Sequence, residues 1–303
     1  MRRRTFIQKT MLAGAGFYLS PGFSLAGTNV DRYKLTILHT NDVHSRIDPF
    51  PANAGKLANM GGAARRSAII QQIRSSESNV LLLDAGDMLQ GTPYFNFFGG
   101  EVEFRAMSAM GYDAATLGNH DFDGGIALLE HRLGDISFQL LSANYTFKDN
   151  LLEQAVKPYT VFEKGPLRIG VMGLGIELEG LVPDPLYGNT VYSDPIEAAN
   201  RIGNILRDKE GCHYIICLSH LGYQYENEKV SDVVLAGKSE HIDLIIGGHT
   251  HTLLDKPVHK TNALGRSVQI VQVGWGGAYL GRLDIGFERN YKHRCISCTS
   301  LSI

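Results

Sequence analysis

The stretch Leu244-Ile245-Ile246-Gly247-Gly248-His249-Thr250-His251 contains the plan of the molecule. Its apolar residues read as a buried strand, its two glycines let the backbone turn sharply and approach closely, and two imidazoles follow at once. The same succession recurs upstream. Leu35-Thr36-Ile37-Leu38 runs into Asp42 and His44, and Val80-Leu81-Leu82-Leu83 runs into Asp84 and Asp87. Ala114-Ala115-Thr116-Leu117 runs into Asn119, His120 and Asp121, and the run Tyr214 to Leu218 ends beside His220. In open α/β sheets, ligands sit beyond the carboxyl ends of the strands. Strands that deliver polar groups at one common end therefore gather them into one cleft.

Between these runs the pattern changes to helical spacing. A helix is expected from Ala63 to Arg74, opened by Gly61-Gly62, and another from Glu103 to Met110. A third is expected from Pro195 to Lys209, with Asp194 as N-cap and Pro195 in the first turn. Phe138 to Ala143 and Arg168 to Leu174 read as further strands, and Val268 to Val273 and Leu280 to Phe287 as a closing β pair. The alternation indicates an α/β protein with helices packed over sheet faces. With 303 residues, 44% of them hydrophobic, one large domain fits better than two.

Residues 1–26 carry four basic and no acidic residues, and the remainder carries 25 basic against 31 acidic, a net charge of −6. Such a balance gives no support to nucleic-acid binding, which calls for a basic face. Arg2, Arg3 and Arg4, the apolar stretch Met11 to Leu19 and the small residues of Ser24-Leu25-Ala26 have the layout of a signal peptide at 1–26. Arg3-Arg4-Thr5-Phe6 with Lys9 resembles a twin-arginine signal, which implies a periplasmic or otherwise exported protein; an ordinary secretion signal with extra arginines is the other reading. No later segment has the ~20 apolar residues of a membrane span. Cys212 and Cys217 stand at an odd offset on an expected strand, so they are expected on opposite faces and unpaired. Cys295-Ile296-Ser297-Cys298 lies in a short C-terminal tail, 290–303, where a disulfide is open.

Asp42-Val43-His44 and His249-Thr250-His251 share a spacing that places both members on one side of an extended chain. Asp87, with two carboxylate oxygens, can bridge two cations, and Asn119 offers a neutral amide oxygen. An all-oxygen-and-nitrogen ligand set suits Mn, Zn, Fe or Co. Two such ions ~3.5–4 Å apart polarise a phosphoryl group and stabilise both the attacking and the leaving oxygen. His39, His131, His213, His241, His259 and His293 lack this setting and read as structural, with His39 in the core or behind the ligands. Asp84 reads equally as a partner of the ligands or as a satisfied strand-end carboxylate.

The segments Leu38-His39-Thr40-Asn41-Asp42-Val43-His44, Asp84-Ala85-Gly86-Asp87, Gln90-Gly91-Thr92-Pro93, Gly111-Tyr112-Asp113-Ala114, Gly118-Asn119-His120-Asp121-Phe122-Asp123, Leu218-Ser219-His220 and Gly247-Gly248-His249-Thr250-His251 resemble the calcineurin-like metallophosphoesterases. Among these the likeness is to the N-terminal catalytic domain of the bacterial 5′-nucleotidases, from about Leu35 to Gly286. The resemblance implies a four-layer α/β/β/α sandwich, with a catalytic domain over 33–289 and two divalent metal ions. Asp42, His44, Asp87 and His251 would hold one ion, and Asp87, Asn119, His220 and His249 the other. His120 would act over the phosphoryl group, oriented by Asp123. Asp121 stands where many members have Glu, and Gly61-Gly62-Ala63-Ala64-Arg65-Arg66 matches a segment read here as helix start and packing.

Full-length 5′-nucleotidases continue into a second domain that holds the nucleoside, and the present sequence has only a short stretch beyond the catalytic part. The resemblance thus implies a nucleotide-like phosphoester substrate, with a separate substrate-binding domain protein as a partner or a different mode of binding. Cyclic-nucleotide phosphodiesterase (2′,3′-cyclic) and UDP-sugar hydrolase activities use the same chemistry. A non-catalytic, metal-stabilised binding subunit is the reading from another class.

Overall fold

The computed structural model describes residues 33–227 and 229–303; the signal read at 1–26 lies outside them. Its central strands carry apolar residues on both faces, as strands covered on both sides must. In β1 (Tyr33–Thr40), Leu35 and Ile37 face one way and Leu38 the other. In β2 (Val80–Asp84), Leu81 and Leu83 oppose Val80 and Leu82. The chain continues through β3 (Ala114–Thr116), β4 (Gln139–Leu141), β5 (Tyr145–Thr146), β6 (Val156–Lys157), β7 (Tyr159–Lys164) and β8 (Leu167–Leu174). After β9 (Val191–Tyr192) come β10 (Tyr214–Ser219), β11 (Leu244–Gly247), β12 (Val258–Thr261) and β13 (Ser267–Val271), then β14 (Tyr279–Phe287) and β15 (His293–Ser302).

One sheet has seven strands in the order β15-β14-β1-β2-β3-β4-β6, and another has six in the order β12-β13-β11-β10-β8-β7. From β1 to β6 the first sheet is parallel, with β14 and β15 antiparallel at its edge. In the second, β8, β10, β11 and β13 are parallel, and β7 and β12 close it antiparallel at either side. A small ribbon pairs β5 with β9.

Three apolar layers hold these sheets together. Leu35, Ile37, Leu81 and Leu83 of the first sheet pack between the sheets against Ile169, Val171, Ile216, Leu218, Leu244 and Ile246 of the second. On the outer face of the first sheet, Leu38 and Leu82 meet Ile70 and Ile73 of the helix Ala63–Ser76 and Phe104 and Met107 of the helix Glu101–Met110. On the outer face of the second, Met172, Ile215 and Ile245 meet Ala198 and Ile202 of the helix Pro195–Asn204 and Leu235 of the helix Asp232–Lys238. The result is a four-layer α/β/β/α sandwich. Asp194 caps its helix as expected, accepting from the backbone N–H groups of Ile196 and Glu197, and the helix runs on as a π turn to Lys209. Among the described residues, no helix is long and apolar enough to cross a membrane.

Three local expectations change. The stretch Val268–Val273 and the stretch Leu280–Phe287 do not pair: β13 lies between β11 and β12, and β14 between β1 and β15, in different sheets. Apolar alternation records that a strand is buried without recording which partner it takes. Cys212 precedes β10 rather than lying on it, so the odd offset does not apply; both cysteines are unpaired and pack in the same outer layer. The stretch 290–303, read as a tail, supplies β15, which pairs along β14 and carries a Cys295–Cys298 disulfide across an irregularity in the register. As a strand half-exposed at a sheet edge, β15 shows mixed polar character in place of an apolar run. Ile303 is buried, its carbonyl accepting from Gly61 N–H and its N–H donating to Ala278 O. Removing residues 293–303 should lower the unfolding free energy by at least about 1.5–3 kcal/mol, the burial of one Ile side chain alone, in a urea titration.

Candidate metal centre

The turns that follow β1, β2 and β11 are not extended. Asp42, His44, Asp87, His249 and His251 all have positive φ, between 50° and 73°. The shared spacing of Asp42 with His44 and of His249 with His251 therefore works through left-handed residues, not through the pleat of a strand. Asp and His tolerate this region better than most residues, yet each such position stores of the order of 1 kcal/mol of strain. The backbone is held there by hydrogen bonds between loops. Asp42 N–H donates to Gly86 O, His44 N–H to Asp87 O and Ser45 N–H to Met88 O, all at 2.9–3.0 Å. Two glycines are required by proximity: a Cβ on Gly118 would collide with the Asp87 carboxylate, and one on Gly248 would lie 2.8 Å from Ala85 O and from His220 Nδ1.

The structure brings all of the expected ligand residues into one cleft at the carboxyl ends of both sheets. Asp42, His44 and His251 form one group able to hold a metal, and Asp87, His220 and His249 form a second. In the first, His44 Nε2 and His251 Nε2 lie 3.0 Å apart, and Asp42 Oδ1 is 3.4 Å from His251 Nε2. In the second, His249 Nδ1 is 2.9 Å from Asn119 Oδ1, which draws Asn119 into the group. Asp87 Oδ2 faces both groups, 3.8 Å from His44 Nε2 and 3.1 Å from His220 Nε2.

His220 tests whether a cation belongs there. It is fully buried, and its Nδ1 donates to Ala85 O at 2.7 Å, so the Nε2 lone pair points into the centre. Among the described residues that Nε2 finds no hydrogen-bond partner, although an Asp87 oxygen lies 3.1 Å away. A lone pair set against a carboxylate calls for a positive charge between them. In the protein alone the demand falls on a proton: burial opposes the charged imidazole, but Asp87 outweighs it and lifts His220 to about 10. Burial likewise works against ionised Asp87, yet His220 and His44 hold its carboxyl well below the usual range. His44 is lowered by burial, and His249 is lowered to about 4 by burial and by His220, which leaves both imidazoles neutral and ready to coordinate.

His120 and Asp123 sit on a short turn at the rim. His120 Nδ1 is 2.8 Å from Asp123 Oδ2, and its backbone N–H donates to Asp87 Oδ1 at 2.8 Å. Burial disfavours its charged form, but the hydrogen bond to Asp123 and the charge of Asp87 raise its pKa overall. The ring is partly open to solvent, with Nε2 left for a ligand.

Several supporting roles were not evident from the sequence. Asp121 is buried and accepts from four backbone N–H groups, those of Asp87, Met88, Leu89 and Gly118, at 2.8–3.0 Å. It thereby sets the loop that carries Asp87, while burial and the neighbouring Asp87 charge push its own carboxyl up to about 7. Its place inside Gly-Asn-His-Asp was the available signal. Asn41 donates to Asp42 Oδ2 and to Gly274 O and accepts from Val273 N–H. Trp275 stacks on His251. Asp84 is a satisfied strand-end carboxylate that also shapes the centre, accepting from Thr40 Oγ1 and from Gly86 N–H beside Asp87. His39 is buried in β1 against Gly281, and His213, His241, His259 and His293 make contacts elsewhere, with Tyr291, Arg266, Ser267 and Tyr214.

Imidazoles, carboxylates and one amide thus meet at the strand ends of a four-layer sandwich. The profile of the calcineurin-like phosphoesterase family matches residues 35–253, and the chain belongs to that family. It is 37% identical to the human (Homo sapiens) 5′-nucleotidase over 300 residues, covering 92% of this chain and 50% of that protein. A snake venom 5′-nucleotidase from Gloydius brevicauda is 34% identical over 299 residues, covering 92% and 49% respectively. The crystal structure of a 5′-nucleotidase precursor from Thermus thermophilus superposes with a TM-score of 0.79 at 32% identity, covering 89% of this chain and 55% of that one. The chain spans about half the length of the curated relatives it matches.

The Asp121→Ala variant should keep the fold yet leave four N–H groups near Asp87 without their acceptor. Metal affinity is expected to fall by about 10–100-fold, the usual effect of losing an outer partner, measured by calorimetric titration. Unchanged affinity would remove Asp121 from the centre.

Proposed function

We propose that the protein is an exported phosphoester hydrolase with two divalent metal ions, acting on nucleotide-like phosphomonoesters to release phosphate. The observation that carries this reading is the Asp87 carboxylate facing two separate ligand groups, with the His120–Asp123 pair at the rim beside them. Asp42, His44, Asp87 and His251 would hold one ion; Asp87, Asn119, His220 and His249 would hold the other. Mn, Zn, Fe and Co all suit these nitrogen and oxygen donors. When bound, the ions supply Lewis-acid polarisation of the phosphoryl oxygens and charge stabilisation for the attacking and leaving oxygens.

The protein's own residues do the rest. Asp123 accepts from His120 Nδ1 and so keeps the proton of the opposite nitrogen directed at the ligand. His120 stabilises charge gathering on the phosphoryl oxygens and hands its Nε2 proton to the leaving oxygen. Asp121 and Asp84 hold the loop of Asp87 against rearrangement. The likeness to 5′-nucleotidases favours a nucleotide among the phosphoesters. The basic, apolar and small-residue layout of 1–26 favours twin-arginine export to the periplasm.

Phosphate release from AMP, a 2′,3′-cyclic nucleotide and a UDP-sugar, with Mn²⁺ or Zn²⁺ supplied, tests the reading. AMP is expected to be the best substrate, and chelation is expected to abolish turnover. His120→Ala should lower kcat by about 10²–10⁴-fold, the range for loss of a general acid. Absence of turnover on every ester with either metal would overturn the proposal.

A further inference from the structure

The exposed Trp275 is unexplained by the chemistry of the metal centre. It sits in Gly274-Trp275-Gly276-Gly277, where all three glycines have positive φ. This loop is tied to the ligand loop of β1: Gly276 N–H donates to Asp42 O at 2.7 Å, and Gly274 O accepts from Asn41 Nδ2 at 2.7 Å. The indole stacks on the His251 ring, 5.5 Å between centroids at 9°, and meets the rings of Phe50 and His44 at 80° and 70°. Phe50 is in turn covered by the Arg46 guanidinium, 4.0 Å from its centroid. A Cβ on Gly276 would collide with Phe50, so the loop closes on this ring without slack.

Three rings thus fix the indole in place, and still 36% of Trp275 is exposed. An aromatic surface held so rigidly beside a polar cleft offers stacking area with little further loss of conformational freedom. Every nucleobase has a π face, and stacking on an aromatic side chain is tolerant of which base it is. We propose that Trp275 is a shelf on which the planar base of a nucleoside phosphoester stacks while its phosphate lies at the metal centre. Trp275 then selects leaving alcohols that carry a heteroaromatic base. The inference rests on the phosphoester reading above and adds the residue of this chain that discriminates by the base.

Trp275 is the single tryptophan of the 303 residues, so its fluorescence reports on the shelf alone. The full metal-loaded chain is titrated with a non-hydrolysable phosphonate analogue of AMP and, separately, with ribose 5-phosphate, which lacks the base. Quenching by the analogue but not by ribose 5-phosphate is expected. In Trp275→Ala, kcat/KM for AMP relative to that for ribose 5-phosphate should fall on the order of tenfold, with Trp275→Phe closer to the parent. Equal quenching by both ligands, no quenching by either, or an unchanged ratio in Trp275→Ala would overturn the shelf. If the parent hydrolyses AMP and ribose 5-phosphate in any of these cases, the phosphoester reading stands while the shelf falls. If the parent hydrolyses neither, both fall.

Discussion

The Asp87 carboxylate is buried between two sets of imidazoles, and the turns around it are shaped by that fact. An ionised carboxylate removed from water needs compensating charge and hydrogen bonds. Its Oδ1 accepts from His120 N–H, and its Oδ2 faces His44 and His220. Asp42 is buried in the same region, so carboxylate oxygens face imidazole nitrogens in both ligand groups. Divalent cations are the natural completion of such a site. The left-handed backbone at five ligand positions, in the three turns after β1, β2 and β11, is its geometric counterpart.

The two-sheet architecture makes that convergence possible. Strands β1, β2 and β3 bring Asp42, His44, Asp87 and Asn119 from one sheet, and β10 and β11 bring His220, His249 and His251 from the other. The apolar layer between the sheets sets how closely their ends approach. Gly118 and Gly248 stand where the turns of the two sheets pass nearest, and both give room to a ligand side chain.

Much of this is legible in the sequence because burial and ligation leave different residue types in fixed order along a strand. Leu244-Ile245-Ile246 could only be core, and His249 and His251 follow too soon to leave the sheet end. The four-layer arrangement is not legible from periodicity: Val268–Val273 and Leu280–Phe287 have similar apolar patterns but lie in different sheets. Pairing partners depend on long-range packing, which alternation does not encode. β15 reads as a tail because an edge strand needs few apolar residues. The part played by Asp121 escapes for another reason, since it lies in four backbone N–H groups and a backbone group has no sequence letter.

The link between Asp42 and the Trp275 loop bears on how recognition is coupled to chemistry. Gly276 N–H binds the carbonyl of Asp42, His249 N–H binds its carboxylate, and Trp275 lies flat on His251. A movement of the indole therefore acts on one side of the ligand set through a backbone hydrogen bond and a ring stack, with no flexible side chain between. Closely packed elements pass such shifts on with little loss. The opposite side of the centre, Asp87 with His220, is anchored separately through Asp121 and Ala85. The two sides of the centre are thus anchored by different parts of the chain, one by the Trp275 loop and the other by Asp121 and Ala85.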